Sequence, residues 1–189
     1  MAESIFPAGW IGSATRQKRF GWMIRTRHAE DSDRMRFDSL STWTMELEQA
    51  LSQVQREVTN EEGTAFRVIV QGKQRPLYPR IRDEVYSIGR EAIVNAFRHA
   101  HARHIEVEIK YSHKHLHLLV RDDGRGIDQS FVLSHPERHH GLSGMYERAD
   151  GIGAYIKILT RMTAGTEIEV SVPGKIAFQD HSAAAGGRG

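Results

Sequence analysis

Residues 90–100 read REAIVNAFRHA, and the reading of the fold turns on this stretch. Ile81, Val85, Ile88 and Ala92 recur at helical spacing into it, so it predicts the second half of a long amphipathic helix. Glu91, Asn95 and His99 stand four residues apart, which on a straight helix places a carboxylate, an amide and an imidazole on one stripe. Alone, that spacing usually marks a solvated face. Its weight comes from three blocks that follow in order: RDDGRGID at 121–128, HHGLSGM at 139–145 and AGTEIEVSVP at 164–173. Asp122 falls at the end of the apolar run HLHLLV, just before Gly124 and Gly126, where the backbone can turn and approach a ligand closely. Gly141, Gly144 and Gly165 punctuate the later blocks.

Upstream, Ser41 or Thr42 can cap a helix in which Trp43, Leu47, Leu51, Val54 and Val58 recur up to Asn60. A strand follows over 66–70, and Pro76 and Pro79 interrupt regular structure before the long helix. Downstream, 105–111 and 115–121 alternate as the two strands of a hairpin around 112–114. Residues 128–140 form a polar loop, 142–149 a helix, and 155–159 with 167–172 a second strand pair around Gly165. The order strand, helix, hairpin, loop, helix, hairpin predicts an α+β fold, a two-layer sandwich with helices on one face of a mixed sheet. Residues 1–40 lack periodicity and carry the charge-crowded RTRHAEDSDRMRFD, as a linker or the remnant of an upstream region does. The domain is expected over 65–173, preceded by the amphipathic helix of 41–60. Residues 174–189, ending AAAGGRG, read as a disordered tail.

The 189 residues hold 26 basic and 24 acidic side chains, a net charge of +2, so no strong attraction to polyanions follows from the balance. Cysteine is absent, which excludes disulfides and thiolate-bound metals and suits a reducing cytoplasm. No apolar run reaches the roughly 18–20 residues of a membrane helix, and no secretory leader is evident at the start. The phosphate-binding pattern GxxxxGK[ST] is missing too.

Over roughly 65–173 the four blocks resemble the ATP-binding catalytic domain of sensor histidine kinases, in the superfamily shared with gyrase B, MutL-type repair proteins and ATP-dependent chaperones. REAIVNAFRHA is similar to the family's N box, and DDGRGI, GLSGM and GTEIEVSVP to its three glycine boxes. HGLSGMYERA most resembles the kinases that partner LuxR/NarL-type response regulators. The resemblance implies the Bergerat ATP-binding fold, ATP and Mg2+ as ligands, a lid over 128–140, and a cytoplasmic module whose parent sensor can be anchored in the inner membrane. It implies Asn95 as the magnesium ligand, Glu91 as the catalytic residue that orients and polarises the attacking group, and Arg98 and His99 facing phosphate oxygens. Asp122, rather than its neighbour Asp123, is implied as acceptor for the adenine amine, with Gly124, Gly126 and Ile127 beside the base and Thr166 near it. Gly141, Leu142 and Gly144 would present backbone N–H groups to phosphate.

A kinase of this kind carries its phosphoacceptor histidine on a dimerising helix pair with an ELHD-like motif, and residues 1–64 hold no such motif; His28 has the wrong neighbours. The expectation is therefore a catalytic module acting on a histidine supplied in trans. Two readings from other classes stay open: a non-kinase regulator of the same fold, anti-sigma-factor-like and acting by contact, and an ATPase of the gyrase or MutL type. Several aromatic and histidine groups have simpler explanations. His113, His115 and His117 read as a solvent-facing stripe, His135, His139 and His140 as surface histidines of the lid, and Trp10, Trp22 and Trp43 as packing anchors.

Overall fold

The computed structural model describes Phe6 and residues 46–58, 63–127 and 140–179. The readings that concern Ser41, Thr42, His28, the three tryptophans, His135, His139, the body of the lid and the His140 side chain lie outside the described residues. In chain order the elements are α1 (Leu47–Val58), β1 (Ala65–Gln71), α2 (Pro79–Asn95) continued by a π-helical turn (Ala96–Ala100), β2 (His104–Tyr111) and β3 (His115–Asp122). Then come α3 (His140–Gly151), β4 (Tyr155–Arg161), β5 (Gly165–Pro173) and the short α4 (Gly174–Ala177).

The five strands form one sheet in the order β1-β2-β3-β5-β4. β1 and β2 run parallel, as strands joined through a crossover helix such as α2 do, and the other pairs are antiparallel. Alternation assigns Ile105, Val107 and Ile109 of β2, Leu116, Leu118 and Val120 of β3, and Ile168, Val170 and Val172 of β5 to one face, and all are buried. Leu47, Leu51 and Val54 of α1, Ile81, Val85 and Ile88 of α2, and Met145 of α3 close over them in the main core, except that Ile105 packs with Ala96, Ala100 and Ala102 in a smaller cluster. Gly89 lets α2 sit close: a Cβ there would lie 2.9 Å from Leu51 Cδ2 and 3.0 Å from Leu118 Cδ2. α1 is further tied to the sheet by the Tyr111 hydroxyl, which donates to Glu48 Oε2 at 3.2 Å.

The opposite face of the sheet carries charge in a row across four strands. Arg67 donates twice to Glu106 Oε2, at 2.9 and 2.7 Å, Arg121 Nη1 stands 3.5 Å from Glu106 Oε1, and Arg121 Nε donates to Glu167 Oε2 at 3.1 Å. Glu106, Arg121 and Glu167 are all buried. His117 lies further along this face, 3.4 Å from Glu169 Oε1.

Several elements run one or two residues past the expected ends, and four differences from the sequence reading have a physical cause. α2 starts at Pro79, because a ring-locked φ and a missing N–H are both compatible with the first helical position. The strand pair is longer, Tyr155–Arg161 with Gly165–Pro173, because the turn needs only residues 162–164, with Thr163 at φ 62°. The expected straight helix through His99 instead widens into the π turn, so Arg98 and His99 leave the line of Glu91 and Asn95 and are exposed. The expected tail is ordered in its first six residues. Phe178 is buried under the Arg75 guanidinium, 4.0 Å from the ring centre, and Tyr78 N–H and Gln179 N–H exchange hydrogen bonds with Ala177 and Pro76 carbonyls.

Since Leu51 is fully buried between α2 and the sheet, Leu51→Ala is expected to destabilise the domain by about 3 kcal/mol. Denaturant unfolding of the two proteins measures this; a loss below about 1 kcal/mol would mean that α1 is not part of the folding unit.

Candidate functional site

Asp122 ends β3 on the helix-facing side and is only 6% exposed. Its Oδ1 accepts the N–H of Gly124 at 2.9 Å, and the N–H and hydroxyl of Thr166, directly opposite on β5, reach the same carboxylate. Burial pushes the Asp122 pKa up from 3.8 to about 6. The Gly124 and Thr166 donors oppose that rise and the nearby Asp123 charge adds to it. The strand crosses over because Gly165 has φ +94°, a left-handed conformation; a Cβ there would collide with the Asp122 carbonyl oxygen.

Asp123 points elsewhere. Its Oδ1 accepts the N–H groups of Arg103 and His104, both at 2.8 Å, and its Oδ2 meets His104 Nδ1 at 2.7 Å. Partial burial works against its charge, but the His104 and Arg103 donors outweigh that and hold the carboxyl below its usual range. Asp123 thus fastens the start of β2 to the turn after β3. The turn itself is held on both sides: Arg125 N–H donates to Ala100 O at 2.8 Å, Ile127 N–H to Thr160 Oγ1 at 2.7 Å, and Thr163 N–H to Arg125 O at 2.9 Å. Its Gly124–Ile127 stretch therefore runs between the end of the π turn and the β4–β5 connection.

One to two helical turns before Ala100, Asn95 Nδ2 donates to Glu91 Oε1 at 3.3 Å, both residues half-buried. An ionised carboxylate accepts only from the nitrogen end of the amide, so this bond leaves Asn95 Oδ1 as the atom available to a cation. α3 lies antiparallel to α2. Arg80 donates to Gly151 O at 2.9 Å and Arg148 to Glu84 at 2.9 Å near one end, while at the other a Cβ on Gly141 would run into Glu91 Oε1. The packing brings the positive end of α3 beside Glu91 and Asn95. Leu142 packs on the core, and a Cβ on Gly144 would meet nothing within 4 Å.

Of the residues singled out in the sequence, Asp122, Gly124 and Thr166 are joined by hydrogen bonds, Gly126 and Ile127 lie in the same turn, and Glu91, Asn95 and Gly141 form a second group. Arg98 and His99 lie on the π turn and are exposed. Thr160 escaped notice, because no motif includes it and the strand was expected to end at Leu159. The alternation Ile156, Ile158, Thr160, continued one step, puts it on the face of Thr166.

A mixed sheet with helices on one face and this order of motifs defines the two-layer ATP-binding class. Residues 81–176 match the family described as histidine kinase-, DNA gyrase B-, and HSP90-like ATPase, and the chain belongs to that family. The sensor protein NarQ homolog of Haemophilus influenzae is 32% identical over 128 residues, which are 67% of this chain and 22% of that protein. The signal transduction histidine-protein kinase/phosphatase DegS of Bacillus subtilis is 27% identical over 57% of this chain and 28% of its own length. Sensor protein VraS of Staphylococcus epidermidis is 37% identical over 49% and 26%. The chain spans between 22% and 28% of the length of these relatives. In fold it is similar to the histidine kinase domain of a blue-light activated kinase from Erythrobacter litoralis, with TM-score 0.54 and 22% identity over 68% of this chain and 63% of that one. The ATP-binding domain of PrrB from Mycobacterium tuberculosis gives TM-score 0.50 and 18% identity over 68% and 90%.

The raised pKa of Asp122 makes a stability prediction. The native carboxyl holds its proton more tightly than the unfolded one, so its contribution is present below about pH 4 and is lost as pH rises through about 6. Asp122→Asn removes that loss. Melting curves from pH 4 to 8 should shift in favour of the variant by roughly 2–3 kcal/mol between pH 4 and 6.5, and no further above. A difference independent of pH would refute the shift.

Proposed function

We propose that this chain is the catalytic, ATP-binding part of a two-component sensor histidine kinase, and that it delivers the γ-phosphoryl group of magnesium-bound ATP to a histidine on a dimerisation domain acting in trans. The buried carboxylate of Asp122, ringed by donors yet still raised in pKa, carries the reading: such a group at a sheet end favours a ligand that brings one more donor. The exocyclic amine of adenine is that donor, with Gly124, Gly126 and Ile127 beside the base and Thr166 at its edge. The phosphates then extend along α2, toward Arg98 and His99, with the N–H groups of Gly141, Leu142 and Gly144 at the start of α3 on the other side.

Asn95 Oδ1 suits a hard divalent cation, and its neutrality avoids repelling the triphosphate. Asn95 Oδ1 would hold a magnesium ion there, which would supply charge neutralisation for the phosphates. Glu91, fixed by Asn95, orients and polarises the accepting imidazole rather than acting on the phosphate. The HGLSGMYERA form of the second glycine box supports a regulator of the LuxR/NarL type as the eventual recipient of the phosphoryl group. No helix among the described residues is long and apolar enough to cross a membrane, and the proposed setting is the cytoplasm.

Two experiments test this. With the dimerising helix pair of the parent kinase as acceptor and labelled ATP as donor, Asn95→Ala should weaken magnesium-dependent ATP binding about tenfold or more, measured calorimetrically. Glu91→Ala should leave binding within about threefold and lower phosphohistidine formation about a hundredfold, as loss of a group used mainly in the transition state does. ATP binding without any transfer to the acceptor would favour the regulator that acts by contact.

The adenine contact is tested separately. Asp122→Asn should lose at least about tenfold in ADP affinity, whereas Asp123→Asn, which alters only the Arg103–His104 anchor, should lose clearly less. Equal losses would show that the wrong carboxylate has been assigned to the base.

A further inference from the structure

Thr160 belongs to none of the four motifs, yet it joins two of them. It lies near the end of β4 on the helix-facing side, directly opposite Thr166 of β5, which in turn faces Asp122 of β3. Its Oγ1 accepts the Ile127 N–H at 2.7 Å, the shortest hydrogen bond holding the turn after β3. The same turn is pressed against β4, since a Cβ on Gly126 would lie 2.3 Å from Arg161 O and 3.1 Å from Thr160 Oγ1.

The protons can be followed from there. A hydroxyl that accepts one N–H keeps a single proton to give, and for Thr160 the acceptors are Gly165 O and Thr166 Oγ1, each 3.4 Å away. Thr166 spends its own proton on the Asp122 carboxylate, so its oxygen is left to accept. When the Thr160 proton goes to Thr166, polarity runs from the Ile127 amide through the Thr160 and Thr166 hydroxyls to the Asp122 carboxylate; when it goes to Gly165 O, it holds the residue that places Thr166. In a poorly hydrated site each bond of such a chain polarises the next.

We propose that Thr160 is a positioning residue for purine recognition: it sets the Ile127 turn and the Thr166 hydroxyl relative to Asp122, and through them the preference for a base with an exocyclic amine. The inference rests on the reading of Asp122 as the adenine acceptor. A threonine that merely satisfied a loop amide would affect stability and every nucleotide alike.

Thr160→Val keeps the shape and removes the hydroxyl, and Thr160→Ser keeps the hydroxyl. ADP and inosine diphosphate, in which an oxo group replaces the amine, are titrated calorimetrically into the 189-residue chain, and exchange of the Ile127 amide is followed by NMR. The wild type and Thr160→Ser should prefer ADP and protect the Ile127 amide. Thr160→Val should lose about tenfold in ADP affinity with little change for inosine diphosphate, and its Ile127 amide should exchange at least about tenfold faster. A wild type indifferent to the two nucleotides sinks the reading of Asp122. A selective wild type whose Thr160→Val variant is equally selective, or a Thr160→Ser variant that behaves like Thr160→Val, sinks the role of Thr160 alone. If circular dichroism shows Thr160→Val unfolded, Thr160→Ala is compared with Thr160→Ser by the same criteria.

Discussion

A carboxylate withdrawn almost wholly from water must be met by hydrogen-bond donors, and Asp122 imposes that requirement on one whole end of the sheet. Gly124 supplies one donor two residues along the chain, and Thr166 supplies two more from the neighbouring strand. Bringing Thr166 that close requires Gly165 to pass over the Asp122 carbonyl in a conformation that side chains rarely adopt. Gly165 of the third box thus follows from the approach to Asp122, whereas Gly124 and Gly126 of the first are required by the closeness of the Ala100 and Arg161 carbonyls. Burial still raises the Asp122 pKa to about 6 against the pull of these donors.

The register that aligns Asp122 with Thr166 is held on the reverse of the sheet. Arg121 and Glu167 are their immediate chain neighbours and therefore point to the opposite face, where they pair with each other and, through Glu106, with Arg67. Buried charges are weak evidence for net stability, because desolvation offsets much of the attraction. They are strong against slippage. Moving β5 by one residue would turn Thr166 away from Asp122 and put Thr166 or Ile168 in place of Glu167 opposite Arg121.

α2 joins stability to chemistry. Ile81, Val85 and Ile88 seat it on the sheet, Gly89 lets it approach, and Arg80 and Glu84 fasten α3 antiparallel beside it. With these contacts made, Glu91 and Asn95 emerge where α3 begins. The π turn then ends against the Gly124–Ile127 stretch through the Ala100 carbonyl, so the two groups of site residues are spaced by the helix rather than by a flexible loop.

Local pattern determined much of this protein. Periodicity of 3.6 and of 2 marked the helices and most strands, because burying one face of each element is a requirement visible in the order of residues. The motif glycines and the carboxylates and amide of 91, 95 and 122 stood out through the order of the four blocks, since a Glu and an Asn four apart on a helix are by themselves ordinary. Tertiary structure alone decided the rest. The π turn at Arg98 and His99 has no counterpart in the residue pattern, and the burial of Phe178, the anchoring of Asp123 and the linking role of Thr160 need contacts distant in the chain: 19 residues for Asp123 with His104, 33 for Ile127 with Thr160 and 102 for Leu77 with Gln179. Two adjacent aspartates are alike to any local rule; strand alternation and the neighbours each one meets across the sheet make one a buried acceptor and the other a backbone anchor.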